Sequence, residues 1–404
     1  MSTHNVLTIL TKNRPNILER SMNILTKHHA DTSIIVLDNS NKNISDINRK
    51  FLKRFKFRNR IYHITNPVIY RLEKQITSQY EQLNFKKLVQ KSGSRDISGL
   101  RNLSLIFSTS LKPKTIFFID DDIVSCFPNR TNSCFFNTVE SKHTNISNLI
   151  VGGNLAGIID DSYTGRLCYL SEHGKHSLLN HEKFLYDSNT KWNFHKNPLW
   201  SSSKIIKPRM KHVFHASGGL IAIKIKTNDL MPFPIGYNED WNWCLLQSIL
   251  KKTTVISDGL PAYHSPSKLF HPDQIGIFWE SLGEIILYSL LRARKSTNNF
   301  TLSSLQKFII HNIADEYVLH ELSYTRNLLN SFLAKERNLS NTQKMKKYLL
   351  ELHSTIDCIK KQNLPDYVKI WFDTQNHRTK TLSYILKKNK IQDIFSEVLD
   401  RNIV

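Results

Sequence analysis

The stretch that decides the fold reads IFFIDDD and occupies residues 116–122. Four consecutive apolar residues predict a buried strand, and three aspartates follow at its carboxyl end. Like charges this close repel one another unless a cation neutralises them. Carboxylate oxygens suit Mn²⁺ or Mg²⁺, and Asp120 and Asp122 face one side if the strand geometry continues. We therefore predict that Asp120 and Asp122 bind a metal, with Asp121 beside them; a solvated acidic turn is the alternative.

The residues before this stretch alternate between strand-like and helix-like segments. Apolar runs at 6–11, 33–37 and 61–65 predict strands, and residues 115–119 form a fourth. Apolar positions at helical spacing predict helices from Pro15 onward and across 97–111. This alternation predicts an α/β fold, a mostly parallel sheet with helices on both faces. Ligands of such sheets bind beyond the carboxyl ends of the strands, so polar residues there are the candidate site.

Three groups of polar residues fall at those positions or close to them. The turn TKNRP at 11–15 supplies Thr11, Asn13 and Arg14, and Asp38 ends the second strand. Arg101 lies early in the helix at 97–111, where its guanidinium can meet a phosphate. Each has an ordinary alternative: a helix start, a turn aspartate and a surface arginine.

Two further candidates lie later in the chain. Glu239 and Asp240 are adjacent acids beside Trp241, which suggests a general base next to a sugar-stacking ring. The alternative is the acidic first turn of a helix capped by Asn238. His264 is a candidate metal ligand through its neutral imidazole, and a structural histidine is the alternative.

The order of these motifs resembles the GT-A glycosyltransferases, especially the inverting family 2. That family has a T-x-N-R-P-like turn, an aspartate that binds the nucleobase, an R-N helix, a D-x-D motif, a G-G before a strand and an E-D pair. The matching features are Thr11 to Pro15, Asp38, Arg101-Asn102, Asp120 with Asp122, Gly218-Gly219 and Glu239-Asp240. The resemblance covers roughly residues 5 to 265 and departs from the family in the third aspartate and in the long polar segment 171–211.

This resemblance implies transfer of a sugar, with inversion, from a nucleotide-sugar donor to a glycan, lipid-linked or peptide acceptor. A UDP-sugar is the donor we expect first. The implied site residues fall into four sets. The base is Asp240, beside Glu239; the donor contacts are Thr11, Asn13, Arg14, Asp38, Arg101, Asp120 and Asp121; the ligands of Mn²⁺ or Mg²⁺ are Asp120, Asp122 and His264; the acceptor-stacking residues are Trp192, Trp200 and Trp241. Trp243 is a further stacking candidate, for which a place in the core is the favoured alternative.

Two other functions remain open. A nucleotidyltransferase uses a similar acidic site, but usually has a glycine-rich loop after the first strand, and residues 11–15 contain no glycine. A basic protein that binds nucleic acid or membrane would suit the charge. Clustered carboxylates repel phosphate, so nucleic acid is the partner we expect least.

The amino-acid composition limits the classes of protein to which the chain can belong. The 404 residues include 56 Lys and Arg against 34 Asp and Glu, a net charge of +22 that favours anionic partners unless it reflects compositional bias. Five scattered cysteines without a CxxC pair predict reduced thiols. No apolar run reaches the length of a membrane span, and the first residues do not resemble a signal peptide. We expect a cytoplasmic protein, with peripheral contact at the inner face of an anionic membrane left open.

The change of pattern along the chain predicts two domains. Residues 1–274 form the catalytic α/β domain, and 275–404 form a helical extension in which apolar residues recur three or four apart. The extension can bind the acceptor, mediate a homo-oligomer or dock on a membrane. A helical cap on the catalytic domain is the simplest of these roles.

Overall fold

The computed structural model describes part of the chain, including eight strands. The described residues are 5–28, 32–55, 60–81, 83, 85–89, 97–113, 115–121, 123–125, 162–169, 220–224, 230–236, 239–250, 255–264, 282–283, 286–287, 289–290, 292–293, 296, 299–312, 346, 350 and 364–404. Only the main chain is described for 24–28, 115, 123–125, 162–169, 241, 244, 248, 255–264 and 312, and for all of 220–224 except Ile223.

Strands and helices alternate through the first part of the chain. The elements in order are β1 Val6–Thr11, α1 Pro15–His28, β2 Ser33–Asp38, α2 Lys42–Leu52, β3 Ile61–Thr65, α3 Asn66–Gln79, α4 Phe85–Val89, α5 Ile97–Ser110, β4 Thr115–Asp120, β5 Ile123–Ser125, β6 Ser162–Tyr169, β7 Leu220–Lys224, α6 Glu239–Leu250, β8 Val255–His264, α7 Leu302–Asn312, α8 Leu364–Lys387 and α9 Asn389–Asp400. The strands predicted at 6–11, 33–37, 61–65 and 115–119 are confirmed, with shifts of at most one residue at their ends.

The described strands form one eight-stranded sheet in the order β3-β2-β1-β4-β7-β6-β8-β5. The first four strands are parallel, and β7 runs antiparallel to β4. The predicted α/β class, a mostly parallel sheet with helices on both faces, is confirmed.

The path of the chain places helices on both faces of this sheet. The connections β1-α1-β2 and β2-α2-β3 run one way, and the chain then returns through α3, α4 and α5 to β4 on the far side of β1. Because such crossovers are right-handed, the reversal puts α1 and α2 on one face and α3 to α5 on the other. Leu10, Ile35 and Ile64 belong to the core under α3 to α5. Leu7 and Val36 alternate with those residues and are buried on the opposite face.

The C-terminal helices share the core of the sheet domain. Phe395 of α9 packs against Phe85 and Phe107, with ring centroids 6.2 and 5.1 Å apart. The final residues add to the sheet edge, where the backbone N–H of Val404 donates to the carbonyl of Ile61 at 3.0 Å. These helices therefore form a cap on the sheet domain. The predicted boundary at residue 274, and contact with a membrane or a second copy, stay predictions. No helix in the described part of the chain is long and apolar enough to cross a membrane.

Candidate active site

Polar residues gather where the parallel strands end, as predicted. Thr11 at the end of β1 pairs with Asp38 at the end of β2, and Leu10 pairs with Asp120 at the end of β4. The crossovers change direction between β1 and β4, which is where ligands of open α/β sheets bind.

Asp38 lies at the centre of a buried hydrogen-bond cluster. Its Oδ1 accepts from the backbone N–H of Ser40 at 2.9 Å, and its Oδ2 accepts from Asn48 Nδ2 at 2.9 Å and lies 2.9 Å from His63 Nε2. Burial raises the pKa of Asp38, but the hydrogen bonds from His63, Ser40 and Asn48 outweigh burial and hold that pKa below its ordinary value. Asp38 is therefore an ionised carboxylate held by the protein, and its predicted contact with a nucleobase stays a prediction.

The turn at 11–15 is tied to the turn that follows β2. Asn13 has a positive φ of 55°, a conformation that asparagine adopts more readily than most residues. Its backbone N–H donates to Ser40 Oγ at 2.7 Å, and its side-chain Oδ1 accepts from the backbone N–H of Asn41 at 2.9 Å. The two turns thus form one rigid rim, and the Asn13 side chain is exposed on it.

Asp121, the middle aspartate of the three, is fully buried and faces the protein. Its Oδ2 accepts from Thr11 Oγ1 at 2.6 Å, and its Oδ1 lies 2.6 Å from an Nη of Arg14. Ser21 Oγ donates to its backbone carbonyl. We call Thr11, Arg14, Ser21 and Asp121 the Asp121 cluster. It fastens the end of β4 to β1 and α1, and its one carboxylate is matched by one guanidinium.

Arg101 joins the end of β4 to the start of α6. The arginine is 2% exposed; its Nε donates to Glu239 Oε1 at 3.0 Å, and an Nη lies 3.5 Å from Asp120 Oδ1. Burial lowers the pKa of Arg101, but the charges of Asp120, Glu239 and Asp240 outweigh burial and raise it. The alternative that Arg101 is a surface arginine is wrong, because residues 98–110 of α5 are all buried.

We call Arg101, Asp120, Glu239 and Asp240 the Arg101 cluster. It contains three carboxylates and one guanidinium. The Asp120 side chain is 24% exposed at the open edge of the sheet, and a partly exposed carboxylate there is a ligand of the kind that a divalent cation prefers. Among the described side chains, no group of three His, Cys, Asp or Glu residues forms a metal site.

The other two predicted ligands can be placed only in part. Asp122 lies outside the described residues. His264 ends β8, and its main chain pairs with Ile123, the residue that follows Asp122. The main chain of residue 264 therefore lies beside the acidic stretch. Its role as a ligand stays a prediction.

The predicted aromatic residues separate into two groups. Trp243 is fully buried, donates from Nε1 to the carbonyl of Met231 at 2.8 Å and stacks on Phe233, which confirms its expected place in the core. Trp241 lies in the first turn of α6, where only its main chain is described. Trp192, Trp200 and the pair Gly218-Gly219 lie outside the described residues, so the acceptor-stacking roles stay predictions.

The partners of Asp38 were not predicted from the sequence. His63 occupies the middle of the apolar strand IYHIT and is 2% exposed, and a buried imidazole in a strand needs a partner. A histidine within an apolar strand is thus a signal that the sequence itself contains. The backbone N–H of Ser40 follows the familiar preference of aspartate for the N–H two residues on. No local signal marks Asn48, which reaches Asp38 only through the packing of α2.

Comparison with known proteins gives distant structural likenesses only. No protein-family model matches the chain, and no curated protein sequence matches it. The chain is similar to a mannosyltransferase from Pyrobaculum calidifontis in complex with GDP-Man and Mn²⁺, at 10% identity and a TM-score of 0.39, over 96% of this chain and 87% of that one.

Two other solved structures are also similar. Glucosyl-3-phosphoglycerate synthase from Mycobacterium tuberculosis, in complex with Mn²⁺, UDP and phosphoglyceric acid, is 12% identical, with a TM-score of 0.37 over 72% of this chain and 78% of that one. Mouse xyloside xylosyltransferase 1 is 11% identical, with a TM-score of 0.27 over 55% and 67%. The first four strands are parallel and alternate with helices, as the sequence predicted.

Proposed function

We propose that this protein is a metal-dependent glycosyltransferase. It moves a sugar from a nucleotide-sugar donor, a UDP-sugar first among the candidates, to a glycan, lipid-linked or peptide acceptor with inversion at the anomeric carbon. One observation carries the proposal. Buried Arg101 joins Asp120 at the end of β4 to Glu239 at the start of α6, across 19 and 138 residues of sequence.

The donor nucleoside would bind along the rim formed by Thr11, Asn13, Arg14 and Asp38. Arg14 is 33% exposed although it also pairs with Asp121, so its guanidinium can face a phosphate from the rim. Asp121 would act on the donor indirectly, because its buried carboxylate holds Thr11 and Arg14 in place.

The donor diphosphate would meet the Arg101 cluster next to this rim. Asp120, Asp122 and His264 are the residues that would hold Mn²⁺ or Mg²⁺. When bound, the cation would act as a Lewis acid and offset charge on the leaving nucleoside diphosphate. Arg101 keeps the Asp120 carboxylate oriented from inside the protein.

Asp240 is the candidate general base for the acceptor hydroxyl. Glu239 is 5% exposed and bound to Arg101, whereas Asp240 is more exposed, so a hydroxyl reaches Asp240 more easily. The positive charge of Arg101 favours the ionised carboxylate that a base requires. Trp241, Trp192 and Trp200 would stack on the acceptor.

The partners and the location remain part of the proposal. We expect the enzyme in the cytoplasm, with the basic charge favouring contact with an anionic membrane surface. A homo-oligomer would use the C-terminal helices. Nucleic acid is not expected at the site, because clustered carboxylates repel phosphate unless a cation intervenes.

The test is nucleotide release from UDP-, GDP-, CMP- and dTDP-sugars, with Mn²⁺ and with EDTA. We expect one donor to be hydrolysed slowly with Mn²⁺, and EDTA and Asp122→Ala to abolish that turnover. Asp393→Asn changes an exposed acid on α9 and should behave like the wild type.

The products separate the competing functions. A glycosyltransferase acting on a UDP-, GDP- or dTDP-sugar releases a nucleoside diphosphate, whereas a nucleotidyltransferase acting on a nucleoside triphosphate releases pyrophosphate. Full activity of Asp122→Ala would show that Asp122 is not a metal ligand. No turnover together with no metal-dependent donor binding in calorimetry would overturn the proposal. Metal-independent, salt-sensitive binding of RNA or DNA would then favour the binding protein.

A further inference from the structure

The segment 230–236 leads from β7 towards the acids of α6 and depends on distant side chains for its hydrogen bonds. It has no helix or strand structure, yet its residues are buried. Buried carbonyls without partners cost free energy comparable to a lost hydrogen bond, so this segment needs donors from elsewhere.

Helix α8 supplies those donors from one face. Trp371 Nε1 donates to the carbonyl of Ile235 at 2.9 Å, and Gln375 Nε2 donates to that of Pro232 at 3.0 Å. Positions 371, 375 and 378 are four and three residues apart, so they lie on the same side of the helix. The third residue, Arg378, is fully buried, and one of its Nη atoms donates to the carbonyl of Phe233 at 2.9 Å.

Arg378 also anchors the neighbouring helices. Its Nε donates to the carbonyl of Lys87 at 2.9 Å, and the same Nη donates to Ser98 Oγ at 2.8 Å. Lys87 belongs to α4 and Ser98 to α5, the helix that carries Arg101. Arg378 therefore sets the distance between α5 and the segment 230–236.

Phe233 connects Arg378 to the Arg101 cluster. The Arg101 guanidinium lies 5.7 Å from the centroid of the Phe233 ring, within the range of a cation–π contact. Phe233 stacks on Trp243 of α6 at 5.0 Å, and its backbone is fixed by Asn102, the neighbour of Arg101. A shift of Phe233 would therefore move Arg101 relative to Glu239.

We propose that α8, through Arg378, Gln375 and Trp371, is a positioning element of the active site. It holds Phe233 under Arg101, and Arg101 in turn orients Asp120 and Glu239 beside the base Asp240. This inference rests on the proposed glycosyltransferase function for its kinetic part, and it makes the C-terminal helices part of the catalytic apparatus as well as a cap.

The experiment compares Arg378→Lys with a matched core variant, Phe395→Leu. Phe395 lies on α9 and packs against Phe85 and Phe107, and no described contact joins it to 230–236. Donor turnover is measured per binding site, with sites counted by calorimetric titration of the matching nucleoside diphosphate with Mn²⁺. Counting sites removes any effect of a smaller folded fraction.

We expect Arg378→Lys to lower turnover per site by roughly ten- to a hundredfold, because misplacement of catalytic groups by about 1 Å has effects of that size. The dissociation constant of the nucleoside diphosphate should change less than about twofold, since Arg378 does not contact the donor rim. Phe395→Leu should lower thermal stability but leave turnover per site unchanged. Equal turnover per site in the two variants would overturn the inference.

Hydrogen exchange gives a second measurement that needs no activity. Arg378→Lys should speed exchange in peptides covering 230–243, and Phe395→Leu should speed it in those covering 85–89 and 103–110. If Arg378→Lys does not fold, Gln375→Met removes only the bond to Pro232 and should give a smaller change of the same kind. Unchanged exchange across 230–243 would refute the positioning role, whereas absent donor turnover in the wild type would refute only the proposed function.

Discussion

Two carboxylate clusters lie side by side at the same edge of the sheet and differ in charge balance. In the Asp121 cluster, one fully buried carboxylate meets one guanidinium and the hydroxyl of Thr11, and Ser21 donates to the backbone carbonyl of Asp121. In the Arg101 cluster, three carboxylates share one guanidinium, and the Asp120 side chain is partly exposed. Asp120 and Asp121 are adjacent in sequence but belong to different clusters.

This difference suggests a structural role for the Asp121 cluster and a catalytic role for the Arg101 cluster. A carboxylate whose charge and hydrogen bonds are matched by the protein has little left to offer a ligand. A partly exposed carboxylate such as that of Asp120 can still coordinate a cation. The Asp121 cluster is therefore expected to control stability, and the Arg101 cluster is expected to control activity.

The largest expected effect is on activity, in the Arg101 cluster. Asp240→Asn keeps the size of the side chain but cannot accept a proton, so donor turnover per site should fall by about 10²–10⁴-fold. Nucleoside diphosphate binding and thermal stability should stay close to those of the wild type, because Asp240 is only partly buried. Steady-state kinetics and calorimetry check this, with Asp393→Asn as the control. Turnover of Asp240→Asn at the wild-type rate would show that another residue is the base.

The next effect is on stability, in the Asp121 cluster. Asp121→Asn should lower the free energy of unfolding by about 2 kcal/mol, because buried hydrogen bonds to a charged group are lost. Asp120→Asn should change it by less than about 0.5 kcal/mol, since its partly exposed ion pair at 3.5 Å is weak. Urea unfolding of both variants measures the contrast. Equal losses would mean that the two aspartates do not differ in the way that their burial indicates.

The smallest expected effect concerns pH and Asp38. The pKa of Asp38 in the folded protein is below its ordinary value of 3.8, so the ionised carboxylate stabilises the fold above that value. That contribution is lost as the pH falls through the folded pKa. Asp38→Asn should therefore be less stable than the wild type at neutral pH, and the gap should shrink as the solution is acidified. Urea unfolding between neutral and acidic pH measures the gap, and a constant gap would contradict the assignment.

The sequence predicted much of the sheet because its signals are local. The apolar runs of β1 to β4 are short, continuous and followed by polar residues, which is the pattern of a buried parallel strand. The ends of parallel strands meet at one edge, so the gathering of Thr11, Asp38 and Asp120 followed from those runs. Trp243 was considered as a stacking residue or as a core residue, with the core favoured, and it is buried.

Other features of the site could not be predicted from local sequence patterns. The alternation of a strand separates Asp121 from Asp120 and Asp122, but it does not show that Asp121 turns into the protein while Asp120 lies at the open edge. Arg101 was predicted to contact a phosphate, with a surface arginine as the alternative, and only the tertiary structure gives it Glu239 as a partner. Arg378 gave no signal, because its acceptors lie 145 to 291 residues away.

By itself, the sequence determined the α/β class, the position of the first four strands and the edge where polar residues collect. It could do so because hydrophobic periodicity acts over a few neighbouring residues. Only the tertiary structure decided that Asp121 is buried against Arg14 while Asp120 lies at the open edge, and that a C-terminal helix supports the segment leading to α6. Those outcomes depend on contacts between residues far apart in the chain, where burial and charge neutralisation, rather than local pattern, set the free energy.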